Sequence, residues 1–229
     1  ALVGAHRASH AAHPEAWAVV GQVLQPEDMA EGATAAGPPR QVGAGPARAA
    51  TLRQDLDFRF NGDTPAWVTN VMAGNLSVKR DRALALGGFD GNFTPPVSYR
   101  FETEFAKRLV VAGGRIRFEP RASIRHLRAP RGGTRSRGSH LDSASPVHGV
   151  GDYYYALRCG HGWERLLYLL RRPFREVRTR FHLRHPWYIP VKLVGELRAL
   201  RLALRLYRQG PRLARCGDEA REAMRRGRR

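Results

Sequence analysis

The chain has 229 residues, 42% of them hydrophobic and 26% charged, with a formal net charge of +19. That suits one globular domain, or one domain with an appendage. It excludes a disulfide framework: the two cysteines, Cys159 and Cys216, lie far apart and also lack zinc-site spacing, so two ordinary thiols of a reducing compartment are expected. No signal peptide is read, and no apolar run approaches the ~18–20 residues of a membrane span. The longest candidate, 187–206, is broken by Lys192, Glu196, Arg198, Arg201 and Arg205. The charge is uneven: residues 1–150 hold 19 Lys/Arg against 13 Asp/Glu, and 151–229 hold 20 against 7, surpluses of 6 and 13. A basic last third seeks phosphates, whether of nucleic acid, anionic lipid or a sugar diphosphate.

The chain opens at Ala1, inside what reads as a helix ending near His13 and Pro14, without an initiator Met; a fragment or a trimmed chain is expected. Ala18–Leu24 is an apolar run of strand length. Residues 30–50, rich in Ala, Gly and Pro, read as a loop. Trp67–Met72 is a second strand, leading into Gly74-Asn75, and Lys79–Leu86 is a short helix stopped by Gly87-Gly88. Glu102–Ala112 carries apolar residues at 105, 106, 109 and 110, a helical face closed by Gly113-Gly114. Arg115–Phe118 and Ala122–Ile124 read as two short strands broken by Pro120, and 129–149 as a Gly/Ser/Arg-rich loop. The remainder is helical; Leu193, Leu197, Leu200 and Leu204 share one helical face and Arg198, Arg201, Arg205 and Arg208 another. Strands interleaved with helices predict an α/β class, with residues 1–140 as one domain and 141–229 as a basic helical extension.

Several residues could carry chemistry. Glu102 and Glu104 open a helix, and their spacing puts them on different faces. Such a carboxylate could serve as a general base, or be no more than the acid common in first turns. His126 follows a strand and precedes a loop; a packed or surface histidine would sit there equally well. Gly132-Gly133-Thr134-Arg135, flanked by Arg128, Arg131 and Arg137, could grip a phosphate through glycine N–H groups and guanidinium, or be a solvated charge run. Gly87-Gly88 is equally a helix cap. Trp67 could stack on a sugar ring or belong to the core.

In order and spacing, these segments resemble the acceptor half of a family 2 glycosyltransferase, an inverting enzyme of the GT-A type. The carrying pieces are AHPEAWAVVGQVLQP (12–26), which contains the first strand, AGNLSVKR (73–80), GGFD (87–90), FETEFAKR (101–108), PRASIRH (120–126) and GGTR (132–135). They resemble the family's P-x-x-x-x-V-x-G-x-V, G-G-N-x-x-x-R, G-G-F-D-E, acidic motif with a following Arg, P-x-A-x-x-x-H and GG-x-R. The likeness covers residues 1 to about 140 and, more loosely, LYRQGPRL (206–213) in the tail. It departs at Ala73 for Gly, Gly91 for Glu, Phe101 for an acid and Glu104 for Asp.

The resemblance implies a partial GT-A sheet with flanking helices, the nucleotide-binding half lying outside the chain. Aligned on Arg108, it makes Glu102 the catalytic base and Glu104 the second acid, with the choice between them open. It gives His126 to a divalent metal, Mn or Mg, whose Asp-X-Asp ligands are expected upstream of Ala1. Arg135, Gly133 and Arg128 fall to the donor diphosphate, and Gly74, Asn75, Asp90 and Trp67 to the acceptor. The expected partners are a nucleotide-sugar donor and a saccharide or lipid-linked acceptor. A cytoplasmic protein is expected, or one resting on the cytoplasmic face of a membrane. Two other readings compete. The charge of +19 suits a nucleic-acid module, but the arginines lack interleaved aromatic platforms and no DNA-binding motif is evident, so no nucleic acid is expected. Residues 187–213 could lie on an anionic membrane surface with leucines down, unless those leucines pack on the rest of the protein.

Overall fold

The structure, a computed structural model, describes residues 2–30, 52, 56, 59–97, 99–127 and 139–214. In chain order these form helix α1 (Leu2–Ala12), strand β1 (Ala16–Leu24), short helix α2 (Pro26–Ala30), strands β2 (Ala66–Val68) and β3 (Leu76–Val78), helices α3 (Arg80–Ala85) and α4 (Phe101–Val111), strand β4 (Arg115–Arg125), and helices α5 (Val150–Cys159), α6 (Gly162–Val177), α7 (Arg180–Arg184) and α8 (Tyr188–Gln209). The class is mixed α/β, as the alternation of elements predicts. The chain divides into a sheet unit, residues 1–89, 105–128 and 213–229, and a helical unit, residues 90–104 and 129–212.

In the sheet unit the strands run β2-β4-β1-β3. β1 and β4 are parallel, and β2 and β3 pair antiparallel to β4 and β1. β1 is therefore interior, and its run Ala-Trp-Ala-Val-Val is buried almost throughout, as parallel strands are. Phe105, Ala106, Leu109 and Val110 of α4 pack with Ala18, Val20, Phe60, Ile116 and Phe118. Gly87 and Gly88, with φ of 78° and 65°, close α3 by donating to the carbonyls of Leu84 and Ala83, a left-handed stop that glycine permits.

β4 differs from the expectation of two strands broken at Pro120: it is one strand from Arg115 to Arg125. Gly21 pairs with Glu119 and Gln22 with Ser123, so Pro120, Arg121 and Ala122 stand out of register as a bulge. Proline cannot donate to the ladder, and a bulge is where a strand tolerates it. Asn75 mends the gap: its Nδ2 donates to the carbonyls of Gln22 (2.9 Å) and Ala122 (2.7 Å). Gly21 makes room, because a Cβ there would lie 2.1 Å from the Ala122 carbonyl oxygen and 2.3 Å from Asn75 Nδ2.

The helical unit is built round α5, in which Tyr153, Tyr154 and Tyr155 are all wholly buried. A helix buried on every side is a core element. α8 lies against it through Ala199 and Ala203, with Leu200 and Leu204 packed alongside. The innermost face of α8 is thus not the leucine stripe but Lys192, Gly195, Glu196, Ala199 and Ala203; Leu193 and Leu197 stay exposed. Small residues let two helices approach closely. The two charges are admitted because each meets an opposite one: Lys192 meets Glu196, and Glu196 also meets Arg172 of α6, itself 2% exposed. Its guanidinium lies 2.9 Å from Asp152, 3.3 Å from Glu176 and 3.1 Å from Glu196, while Lys192 Nζ lies 3.1 Å from Glu196 and Arg100 Nε 2.7 Å from Asp152. Among the described residues no helix is long and apolar enough to cross a membrane.

Candidate active site

The acidic motif occupies the first turn of α4 in the helical unit. The chain enters it through Arg100, whose φ of 70° is unusual for a residue with a side chain. The ion pair to Asp152 holds Arg100 there. Strain of this kind tends to gather where function fixes the backbone. Two residues on, Glu102 is only partly exposed, and its Oε2 is buried without a hydrogen-bond partner; the Thr103 hydroxyl beside it is in the same state. Burial pushes the Glu102 carboxyl above its ordinary pKa, opposed by its own backbone N–H and by the Arg100 charge. Glu104 is wholly buried. The two carboxylates therefore differ in access: Glu102 stands at a boundary with solvent and Glu104 inside.

Asp90 also belongs to the helical unit and is saturated. Its Oδ1 accepts from the backbone N–H groups of Asn92 (3.0 Å) and Arg212 (2.8 Å), and its Oδ2 from the Tyr154 hydroxyl (2.7 Å). It ties the turn at 90–93 to α5 and to the segment after α8.

The other expected site residues with described positions lie in the sheet unit. His126 follows β4 at the carboxyl end of the parallel pair, its N–H donating to the Leu24 carbonyl, the end of such sheets where ligands usually bind. Its Nδ1 lies 3.0 Å from Gln25 Oε1, within hydrogen-bond reach. Nearby in the chain, Asp28 accepts from the Gln25 N–H and from Asn61 Nδ2, each at 2.8 Å. Gln25 and Asp28 were not singled out by the sequence; proline and an acidic first turn in α2 were the only signal there.

Gly74 and Asn75 share one 3-10 turn ahead of β3. Both amide hydrogens of Asn75 serve the bulge, and its Oδ1 accepts from His6 Nε2 at 2.8 Å. Ser77 continues the chain of contacts to His6 Nδ1 (2.8 Å) and His10 Nε2 (3.0 Å). Trp67 lies on the opposite edge of the sheet from β3, with the Arg115 guanidinium 3.7 Å from its ring centroid, so one ring face is covered. Arg128, Gly133 and Arg135 lie outside the described residues.

A divalent metal would need ligands beyond those described. Among the described residues no three His, Cys, Asp or Glu side chains converge, and His126 alone does not make a site. The sequence does contain one literal Asp-X-Asp, Asp55-Leu56-Asp57, within the chain and not ahead of Ala1; both aspartates lie outside the described residues. No family model, curated protein or solved structure matches the chain.

Proposed function

We propose that the chain is the acceptor side of an inverting glycosyltransferase and that Glu102 is its general base. The observation that carries this reading is the desolvated, unpartnered Oε2 of Glu102, in the first turn of a helix entered through a strained residue. A buried oxygen without a partner calls for a ligand. A carboxylate whose pKa is raised toward neutrality by burial is suited to take a proton. The order of motifs in the sequence supplies the reaction class.

In the proposed step, Glu102 Oε2 accepts the proton of an acceptor hydroxyl. The hydroxyl oxygen bonds to the anomeric carbon while that carbon's bond to the donor diphosphate breaks on the opposite side. The electron pair leaves with the diphosphate, and the configuration inverts. Asp90, its oxygens engaged within the helical unit, acts there as a positioning residue. Arg128, Gly133 and Arg135 are assigned to the departing diphosphate.

The test is nucleoside-diphosphate release from a panel of nucleotide sugars, with saccharide and lipid-linked acceptors, using the complete protein. Glu102→Gln should lower turnover by about 10²–10⁴-fold while the circular dichroism spectrum stays unchanged. Wild-type activity should fall on acidification with an apparent pKa above that of an ordinary glutamate. Undiminished turnover in Glu102→Gln would remove Glu102 from the mechanism.

A further inference from the structure

α6 sits inside out. Its polar face, Arg172 and Glu176, is turned into the helical unit and held by ion pairs to Asp152, Glu196 and Lys192. Its apolar face looks outward: Trp163, Leu170 and Phe174 are 75%, 58% and 68% exposed, and Leu166 and Leu167 between them are exposed as well. These positions fall at i, i+3, i+4, i+7 and i+11, one continuous stripe about 16 Å long. The helix cannot roll to hide it, because that would draw Arg172 out of contact with two buried carboxylates.

A stripe of this size and continuity marks an interaction surface, and the charges around it say what kind. Arg171 borders it, about 80° round the helix axis from Trp163, and Arg178 follows directly on the end of the helix. Arg175, Arg180 and Arg184 are also exposed, against one exposed acid, Glu164, in the segment 162–187. Leu183 and Trp187, just beyond in the chain, are 81% and 62% exposed. A second copy of the chain laid on this stripe would bring one arginine border against another. A surface that is apolar below and anionic at the level of the arginines has no such conflict.

We propose that α6 lies flat in the headgroup layer of an anionic lipid bilayer, with the Trp163–Phe174 stripe toward the acyl chains and the bordering arginines on lipid phosphates. Helices with Trp, Phe and Leu on one face and Arg beside it bind in this way. The polar face, which a free amphipathic peptide turns to water, is here seated on the protein. The proposal does not depend on glycosyl transfer, and it places membrane contact on α6 rather than on the leucines of α8.

Flotation of the full chain with vesicles of phosphatidylcholine containing a quarter phosphatidylglycerol, and with phosphatidylcholine alone, tests it. The wild type should float with the anionic vesicles, and less so as salt is raised. Leu170→Glu/Phe174→Glu should reduce recovery at least about tenfold, and Arg171→Glu/Arg178→Glu should abolish the preference for anionic lipid. Circular dichroism checks that each variant is folded; if the first double variant is not, Trp163→Ser, expected to lower recovery in the same assay, takes its place. Equal recovery of wild type and variants, or no recovery of the wild type, would overturn the proposal. So would a dimer by light scattering that Leu170→Glu/Phe174→Glu converts to monomer, because a second copy would then cover the stripe.

Discussion

In the sheet unit the central buried tie is a neutral amide: Asn75 spans β1, the β4 bulge and His6 of α1 through its hydrogen bonds. In the helical unit it is a guanidinium: Arg172 gathers Asp152, Glu176 and Glu196 from three helices. A neutral tie depends on shape and on whether each donor finds its acceptor. A charged tie depends in addition on protonation, since losing one charge strands the other in a poorly solvating interior. The two units should therefore answer differently to acid and to single substitutions.

The largest effect should come from Arg172→Ala. It takes one of two cations from each of buried Asp152 and Glu196, leaving the first to Arg100 and the second to Lys192; breaking a buried pair by removing one partner costs about 3–5 kcal/mol. Acid should act on the same tie. Burial pushes the Asp152 carboxyl up, but the charges of Arg172 and Arg100 outweigh it and hold its pKa below the usual carboxylate value. A carboxylate lowered in the folded state contributes stability above its unfolded pKa, about 4, and loses it as pH falls further. Hydrogen exchange resolved by peptide checks both points: α5 and α8 should lose protection in Arg172→Ala, and in the wild type below about pH 4. Equal loss in β1 and β4 would show that the two ties do not act separately.

In the sheet unit the sharper probes are Gly21→Ala and Asn75→Asp. The first drives a Cβ into the space held by Asn75 Nδ2 and the Ala122 carbonyl, an overpacking worth about 1–3 kcal/mol. The second keeps the shape but replaces two donors with an acceptor against two carbonyls, about 1–3 kcal/mol for each group left unpaired. Because Gly21 and Asn75 touch, Gly21→Ala/Asn75→Ala should be less destabilised than the sum of its single variants. Denaturant midpoints would measure this; simple additivity would mean that the amide does not occupy the space that Gly21 leaves.

What the sequence revealed of all this follows the range of the interactions. β1 was legible because an interior strand is a local apolar run, and α4 because its apolar face and closing glycines lie within one short segment. β4 was misread at Pro120 because the group that bridges the bulge, Asn75, lies 47 residues away from Ala122. The leucines of α8 drew attention, yet Glu196 and Lys192 face inward because their partners Arg172 and Glu176 come from α6. In the site, the placement of Glu102 and Glu104 in a first turn was readable. The unpartnered oxygen and the strained Arg100 were not, since both depend on what surrounds the turn. His126 and Gln25 meet across 101 residues, and no local pattern announces such a pair.

The smallest effect is also the one that separates two carboxylates within the helical unit. Burial raises the Glu102 pKa, so the fold favours the neutral acid. Its contribution to stability is present below the ordinary glutamate pKa, about 4.3, and is lost as pH rises through the raised folded value. Asp152 has the opposite slope. Glu102→Gln, which keeps the neutral shape at every pH, should therefore stabilise the protein at pH 7 by about 0.5 kcal/mol, and the gain should vanish near pH 4. Asp152→Asn should destabilise at pH 7, with its cost shrinking toward low pH. Urea unfolding at the two pH values reads both signs. A loss of stability in Glu102→Gln at pH 7 would mean that the buried Oε2 has a partner in the folded protein, and the base assignment would lose the observation it rests on.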